Sequence, residues 1–471
     1  MRNLAHLALP TVIALLAGCT AIPTYERPAS PVAALWAQPA YAAGMRPVAG
    51  LSWQQFLPDP RLQALITAAL EHNRDLRIAV ARVEEARALY GIARADRLPT
   101  LNLAATETAA RTPGNLSATG QPLTARRYDV NVAITSFELD FWGRVKSLNQ
   151  AARASYLATE AAQEAFRISL IADVANAYFT LLEMEKRSEL ARATGETRKE
   201  TRHLVQKRRD VGLAGDLDFL AADGAYESAR AELANLERSR AAAENALALL
   251  VGTVAKSFPG GRQLSEQGVV ADLAIEVPSE VLLRRPDVRA AEDRLIAANA
   301  NIGAARAAFL PRIGISLALG SASNSLSGLF DAGSGAWSFV PTLALPLFDG
   351  GRTQANVDLA EVRKVIAVAE YEKTIQQAFR EVADLLAARD QLAAQLKAQE
   401  AGEAAQNQRL RVVVARYKAG ASSYLEVLDA QRDTFNAQQA TVQVRRVLLS
   451  TAVQLYKALG GGQEALPEKA A

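Results

Sequence analysis

The chain has 471 residues, enough for two or three ordinary domains, and its 53 basic and 50 acidic residues are intermixed, so the formal charge of +3 contains no basic tract of the kind a nucleic-acid surface needs. One cysteine excludes an internal disulfide, and three histidines outside any metal motif argue against a metalloenzyme. No nucleophile with its base stands out, and Gly260-Gly261 lacks the lysine and spacing of a nucleotide loop, so the chain reads as a non-enzyme with no cofactor.

Arg2, the apolar stretch from Leu7 to Leu16 and the lipobox Leu16-Ala17-Gly18-Cys19 read as a signal peptide over residues 1–18 that exposes a cysteine for acylation. Several acyl chains on Cys19, at about 0.8 kcal/mol per buried CH₂, hold a protein firmly to a membrane and remove the bare thiol. Thr20 follows the cysteine, as in lipoproteins sorted onward to the outer membrane. Residues 19–58 carry Pro23, Pro28, Pro31, Pro39 and Pro47 and read as an extended strap on the body, docked through Trp36 and Trp53-Gln54-Gln55-Phe56. Beyond the signal no run of about 18 apolar residues occurs, so no helix is expected to cross a membrane.

From residue 59 onward the chain runs through one programme twice, over residues 59–254 and 286–460, with a connection at 255–285 and a tail at 461–471. The two passes are offset by 208 positions: Gly143-Arg144 matches Gly351-Arg352, Arg208 and Gly212 match Arg416 and Gly420, and Leu217 and Leu220 match Leu425 and Leu428. Glycines and arginines kept in register with apolar residues point to duplication of a long unit.

Each pass begins with a helical segment, Pro60 to Leu98 or Pro286 to Leu310. The period then changes to two: Tyr128, Val130, Val132 and Ile134 alternate with polar residues, and the second pass gives Ile313, Ile315, Leu317 and Leu319, then Trp337, Phe339, Leu343, Leu345 and Leu347. Paired strands of about nine to eleven residues with one apolar face suit an outer-membrane barrel, here over residues 99–141 and 311–349, with outward loops at 111–125 and 321–335. Proline-free, Ala/Glu/Arg/Leu-rich rods follow, Val145 to Val211 and Thr353 to Ala419, each about 100 Å long if helical. Gly212 and Gly420 end them and reverse the chain into a second helix, Leu217 to Leu250 or Tyr424 to Leu459.

Four strands cannot close a barrel, and open sheet edges are not tolerated in lipid, so other copies must complete it. Three copies give twelve strands above twelve helical columns, although strand count alone does not select a trimer over a dimer or tetramer.

Four segments carry a family resemblance: the lipobox, Glu138-Leu139-Asp140-Phe141-Trp142-Gly143-Arg144, the run from Val277 to Val288 containing Arg284-Arg285-Pro286-Asp287, and the ending Leu455-Tyr456-Lys457-Ala458-Leu459-Gly460-Gly461. In these the chain closely resembles the outer-membrane factors of tripartite efflux systems, the lipoprotein branch near OprM and NodT within the TolC superfamily. The resemblance implies an α+β fold: a trimeric twelve-stranded outer-membrane barrel continuous with a long periplasmic helical coiled-coil barrel, four strands coming from each duplicated chain. It implies a passive duct fed through a periplasmic adaptor by an inner-membrane pump of the resistance-nodulation-division type, with drugs or other small toxic compounds as cargo. The alternatives are a metal-efflux or type I secretion duct, or a structural coiled-coil lipoprotein.

The family closes its periplasmic tip with hydrogen bonds, ion pairs and rings of carboxylates. That pattern carries over onto Tyr417 in Arg416-Tyr417-Lys418-Ala419-Gly420 and onto Asp429 and Arg432, with Asp433 as a second ring and Asp218 as a partner for Tyr417 or Arg432. Arg209 stands where the repeat places Tyr417, which assigns the tyrosine latch to the second hairpin alone. Phe141-Trp142 are expected at the inner headgroup level, and Arg285-Pro286-Asp287 as a helix start and brace.

Overall fold

The structure, a computed structural model, describes residues 21–33, 46–47, 51–253, 258–269, 273–274 and 279–461. The signal, Cys19, Trp36, part of the 255–285 connection and the tail beyond residue 461 lie outside the described residues.

In chain order the elements are strand β1 (Arg46–Pro47), helices α1 (Trp53–Phe56), α2 (Pro60–His72) and α3 (Arg74–Ala95), and strands β2 (Asn102–Thr112) and β3 (Leu123–Leu139). Helices α4 (Arg144–Asp210) and α5 (Asp216–Val251) follow, then strand β4 (Leu273–Ala274), helix α6 (Pro286–Ala307), strands β5 (Arg312–Ser323) and β6 (Gly335–Ala344), and helices α7 (Arg352–Lys418) and α8 (Tyr424–Ala458). By packing they form two compact units. Among the described residues, one comprises those up to Ala29, Arg82–Glu160 and Ala290–Glu372; the other comprises those of Ser30–Ala81 and Ala161–Arg289 and those from Lys373 onward.

The first unit holds an antiparallel sheet in the order β2-β3-β5-β6, which pairs the second strand of one repeat with the first strand of the other. Its cross-strand register sorts side chains into rows. Leu139–Ile313–Leu343, Phe137–Ile315–Pro341, Ile134–Leu317–Phe339 and Leu103–Val132–Leu319–Trp337 lie on one face, followed by Ala105–Val130–Ser321 and Glu107–Tyr128–Ser323. The other face carries Asn131, Asp129, Thr108, Ser316, Gly320 and Ser338. From the Leu139 row to the Tyr128 row there are five intervals of about 7 Å along the strand, or about 26 Å at a tilt of about 40°, the height of an outer-membrane apolar band. The outward edges of β2 and β6 have no partner strand within the described chain.

β3 runs to 17 residues, longer than the expected ten or so, and contains a bulge: Ile134 faces Leu317 but Phe137, not Ser136, faces Ile315. The extra residue turns Phe137 and Leu139 onto the apolar face and Glu138 onto the polar one. There Glu138 grips Arg144 through two hydrogen bonds of 2.8 and 2.7 Å. Both strand-to-helix junctions are capped by an aspartate. Asp140 accepts from the backbone of Val145 and Lys146, and Asp349 accepts from Gly351 and Thr353, which satisfies N–H groups a helix start leaves open. Trp142 donates its indole N–H to the Pro311 carbonyl at 2.7 Å, and Phe141 stays exposed.

The described part of the strap within this unit is fixed to α6. Arg27 forks onto Glu292 at 2.6 and 3.0 Å, Tyr25 donates to the same carboxylate at 3.1 Å, and Asn299 donates to the Pro23 carbonyl at 2.8 Å.

In the second unit the segment expected as one helix from Pro60 to Leu98 is two. Asn73 divides it, accepting from the Leu76 N–H at 2.9 Å to cap α3 while its amide reaches the Leu250 carbonyl at 2.8 Å. At that meeting point Gly252 has φ +74°, and a Cβ on it would lie 2.5 Å from the His72 carbonyl oxygen, so glycine is required. Asp59, fully buried, accepts from the backbone of Arg61, Leu62 and Arg262, from the Tyr178 hydroxyl and from the Gln267 amide. Five donors make a buried carboxylate tolerable. Arg285 braces as expected: it pairs with Asp287 and Glu381 and donates to the Ala458 carbonyl, ending α8. Burial opposes its charge, but the two carboxylates outweigh that and raise its pKa. Phe56 stacks on Tyr456 with ring centroids 4.5 Å apart.

The long helices α4 and α7 each have 67 residues and start one residue before the expected positions. Against the sequence expectation, α4 is long and apolar enough by length and composition to cross a membrane; half of its most apolar stretch is buried inside the protein. Leu170, Val174, Tyr178 and Phe179 are core residues, so packing accounts for its apolar character.

Candidate functional site at the hairpin tips

Each long helix ends in the same closure. The Leu213 N–H bonds the Arg208 carbonyl at 2.7 Å and the Gly212 N–H bonds that of Arg209 at 2.9 Å; Ala421 with Arg416 and Gly420 with Tyr417 repeat the pair at 2.9 and 3.0 Å. Gly212 and Gly420 take φ of +76° and +74°, the left-handed conformation that lets a helix stop and the chain turn back.

The tips are alike in backbone but not in side chains. Ser423 starts α8 with a reciprocal capping box to Glu426, while its repeat equivalent Gly215 starts α5 with no side-chain cap. Between the hairpins lies one apolar cluster, with Val205 and Ala222 from the first and Tyr424 and Val427 from the second. Tyr417 packs on it, tilted against Tyr424 with centroids 5.8 Å apart. Burial first, then the neighbouring Tyr417, pushes the Tyr424 hydroxyl up to about 12.

Arg208 joins the hairpins: its Nη1 donates to the Tyr417 hydroxyl at 3.0 Å and its guanidinium lies 5.6 Å from the ring centroid. Arg416, the repeat equivalent of Arg208, instead donates to its own turn at the Ala421 carbonyl. Arg209, at the repeat position of Tyr417, stacks 4.3 Å over Phe219. Further up α4, Arg198 donates to the Ala225 carbonyl at 2.9 Å while its buried Nε has no partner, and burial lowers its pKa.

On α8, Arg432 lies between Asp429 and Asp433 at 3.3 and 3.2 Å, and Arg409 reaches Asp433 from α7 at 2.7 Å. The hydrogen bond from Arg409, then that from Arg432, holds the Asp433 carboxyl below its ordinary range. Each of the two carboxylates therefore has a compensating guanidinium on the same chain. Asp218 is exposed in the first turn of α5, and among the described residues no hydrogen bond or ion pair joins it to Tyr417 or Arg432. Sequence reasoning used Arg208 as a repeat marker and passed over Arg409. Arg409 sits eight positions before Tyr417 on the same helix, a helical spacing that could have flagged it.

Residues 65–253 and 277–461 each match the family described as outer membrane efflux protein, one match per repeat. The chain is 45% identical to the outer membrane protein OprJ of Pseudomonas aeruginosa over 465 residues, covering 98% of this chain and 97% of that one. It is likewise 45% identical to the toluene efflux pump outer membrane protein TtgF of Pseudomonas putida, covering 95% of each. Among solved structures it resembles the open state of the Neisseria gonorrhoeae MtrE outer membrane channel, with a TM-score of 0.86 and 40% identity over 94% of this chain and 98% of that one. With both repeats matched, and with a four-stranded sheet and long helices that superpose on an outer-membrane channel, the chain belongs to the outer membrane efflux protein family and is an outer-membrane duct of a tripartite efflux pump.

Proposed function

We propose that three copies close this duct, pairing β2 of each chain with β6 of the next into twelve strands, and that lipid on Cys19 anchors the assembly. One observation carries the reading: a sheet with an apolar band of outer-membrane height on one face, small and polar residues on the other, and two open edges. The polar face then lines the bore. Leu213 and Leu217 of the first tip and Leu425 of the second are exposed, which supports docking of a periplasmic adaptor and, through it, a resistance-nodulation-division pump. Relatives named for toluene and antibiotic efflux support small organic toxicants as cargo.

Within the duct, Tyr417 with Arg208 restrains the tip, and Asp429 and Asp433, balanced by Arg432 and Arg409, set the charge of the constriction; Asp218 acts there through its field alone. Mass determination of the detergent-solubilised protein, corrected for bound detergent, tests the assembly. A trimer is expected, and a stable monomer overturns the shared barrel.

A further inference from the structure

We propose that Arg111 and Arg126 form a site for the phosphate groups of the outer leaflet's glycolipid, on the membrane-facing side of the sheet; this rests on the barrel reading above.

The register carries the placement. Arg126 stands opposite Ala109 and Arg111 opposite Thr124, which puts both arginines on the apolar face, one and two rows beyond the Tyr128 row. They occupy diagonal positions on neighbouring strands, about 7–8 Å apart between Cα atoms. They thus sit about 5 and 10 Å above the aromatic boundary of the band, at headgroup depth on the loop side.

Their charge is unspent. Arg127, next in sequence but on the opposite face, is neutralised by a fork onto Asp129, Nε to Oδ2 at 2.9 Å and Nη2 to Oδ1 at 2.8 Å. Among the described residues no hydrogen bond or ion pair engages the guanidinium of Arg111 or of Arg126. Glu107 shares their face, in the Tyr128 row, and it too forms no ion pair with either. Two unpaired guanidiniums directly above a lipid-covered surface meet the phosphates of whatever lipid covers it, and guanidinium matches phosphate with paired N–H donors. The loop side faces the outer leaflet, whose glycolipid carries phosphates on sugars immediately above its acyl chains. Those chains would lie along Val130, Val132 and Leu319.

The test uses the full-length detergent-purified protein and native mass spectrometry, with bis-phosphorylated hexa-acyl lipid A as the probe. Wild type should retain lipid A, and the double variant Arg111→Gln/Arg126→Gln should bind it at least roughly tenfold more weakly, the loss expected for two charge-assisted contacts. Arg127→Gln should bind as wild type does, and lipid A stripped of both phosphates should bind wild type no better than the double variant binds the intact lipid. Phosphatidylglycerol should not displace lipid A.

Undiminished binding by the double variant, equal retention of the dephosphorylated lipid, or displacement by phosphatidylglycerol overturns the site. Loss of the trimer in the double variant also overturns it, because the arginines then belong to the subunit contact. Planar-bilayer insertion of wild type separates the two readings. A protein that inserts and conducts but binds without regard to phosphate loses only this site, whereas one that never inserts loses the barrel and the site together.

Discussion

Leu317 and Ala318 are adjacent in sequence and opposite in fate. Leu317 lies between Ile134 and Phe339 in a middle row of the apolar face; Ala318 lies between Ala133 and Ser338 on the other. An arginine at the bilayer midplane of a barrel costs about 2–4 kcal/mol. In the trimer proposed above, Leu317→Arg places one on each of three chains, so the assembly should lose roughly 6–12 kcal/mol, comparable to the whole stability of many proteins. Ala318→Arg projects its guanidinium into the bore and should cost under about 1 kcal/mol. Heat-resistant trimer recovered from outer membranes measures the outcome, with the temperature of trimer dissociation in dodecyl sulfate as the finer reading. Leu317→Arg should leave little or no trimer and Ala318→Arg nearly normal amounts. Equal yields from the two variants, whether both high or both low, would refute the face assignment.

Cys19→Ser should abolish incorporation of a fatty-acid probe while the barrel still inserts; persistent labelling places the lipid elsewhere. Tyr417→Phe removes the acceptor of Arg208 but keeps the ring, so it should loosen each tip by about 1 kcal/mol, and combination with Arg432→Ser by more, read as higher conductance in planar bilayers. Asp429→Ala should instead lower cation preference, shifting the reversal potential under a salt gradient without a large change in conductance. Asp433 and Glu426 both have depressed pKa values, from the hydrogen bond of Arg409 and that of Ser422 respectively. Depressed carboxylates contribute stability above their unfolded pKa of about 4 and lose it as pH falls through the lower folded value. Protection of the second-tip amides, with exchange corrected for its intrinsic pH dependence, should therefore be unchanged from pH 7 to about 5 and fall only below about 4, and Asp433→Asn should flatten that response.

The elements most legible in the sequence were those fixed by local rules. The rods end within a residue of their expected positions because an uninterrupted helix-forming composition meets a glycine, and both facts are local. The strand phase was equally local, yet the bulge was missed although it is written in the chain. Val130, Val132 and Ile134 are even-numbered and Phe137 and Leu139 odd, so the slip at Thr135-Ser136 shows as a change of parity. The break at Asn73 was hidden because an asparagine inside an otherwise helical composition looks tolerable until its partner, Leu250, is known. Asp59 and Arg208 share that difficulty: the Tyr178 hydroxyl lies 119 positions from Asp59, and Tyr417 lies 209 from Arg208. Pairings at such distances depend on how the repeats pack, which no window of sequence encodes.

The open edges of β2 and β6 have a genetic consequence. Every strand edge left unpaired in lipid exposes backbone groups at several kcal/mol each, so a ring with one faulty junction is no better than a ring with three. If three copies close the barrel as proposed, a chain whose β6 cannot pair would ruin any trimer it enters. Co-expressed in equal amount with the normal chain and mixed at random, it would leave only about one assembly in eight intact. Damage to an edge strand should therefore be dominant, while loss of the whole gene should be recessive.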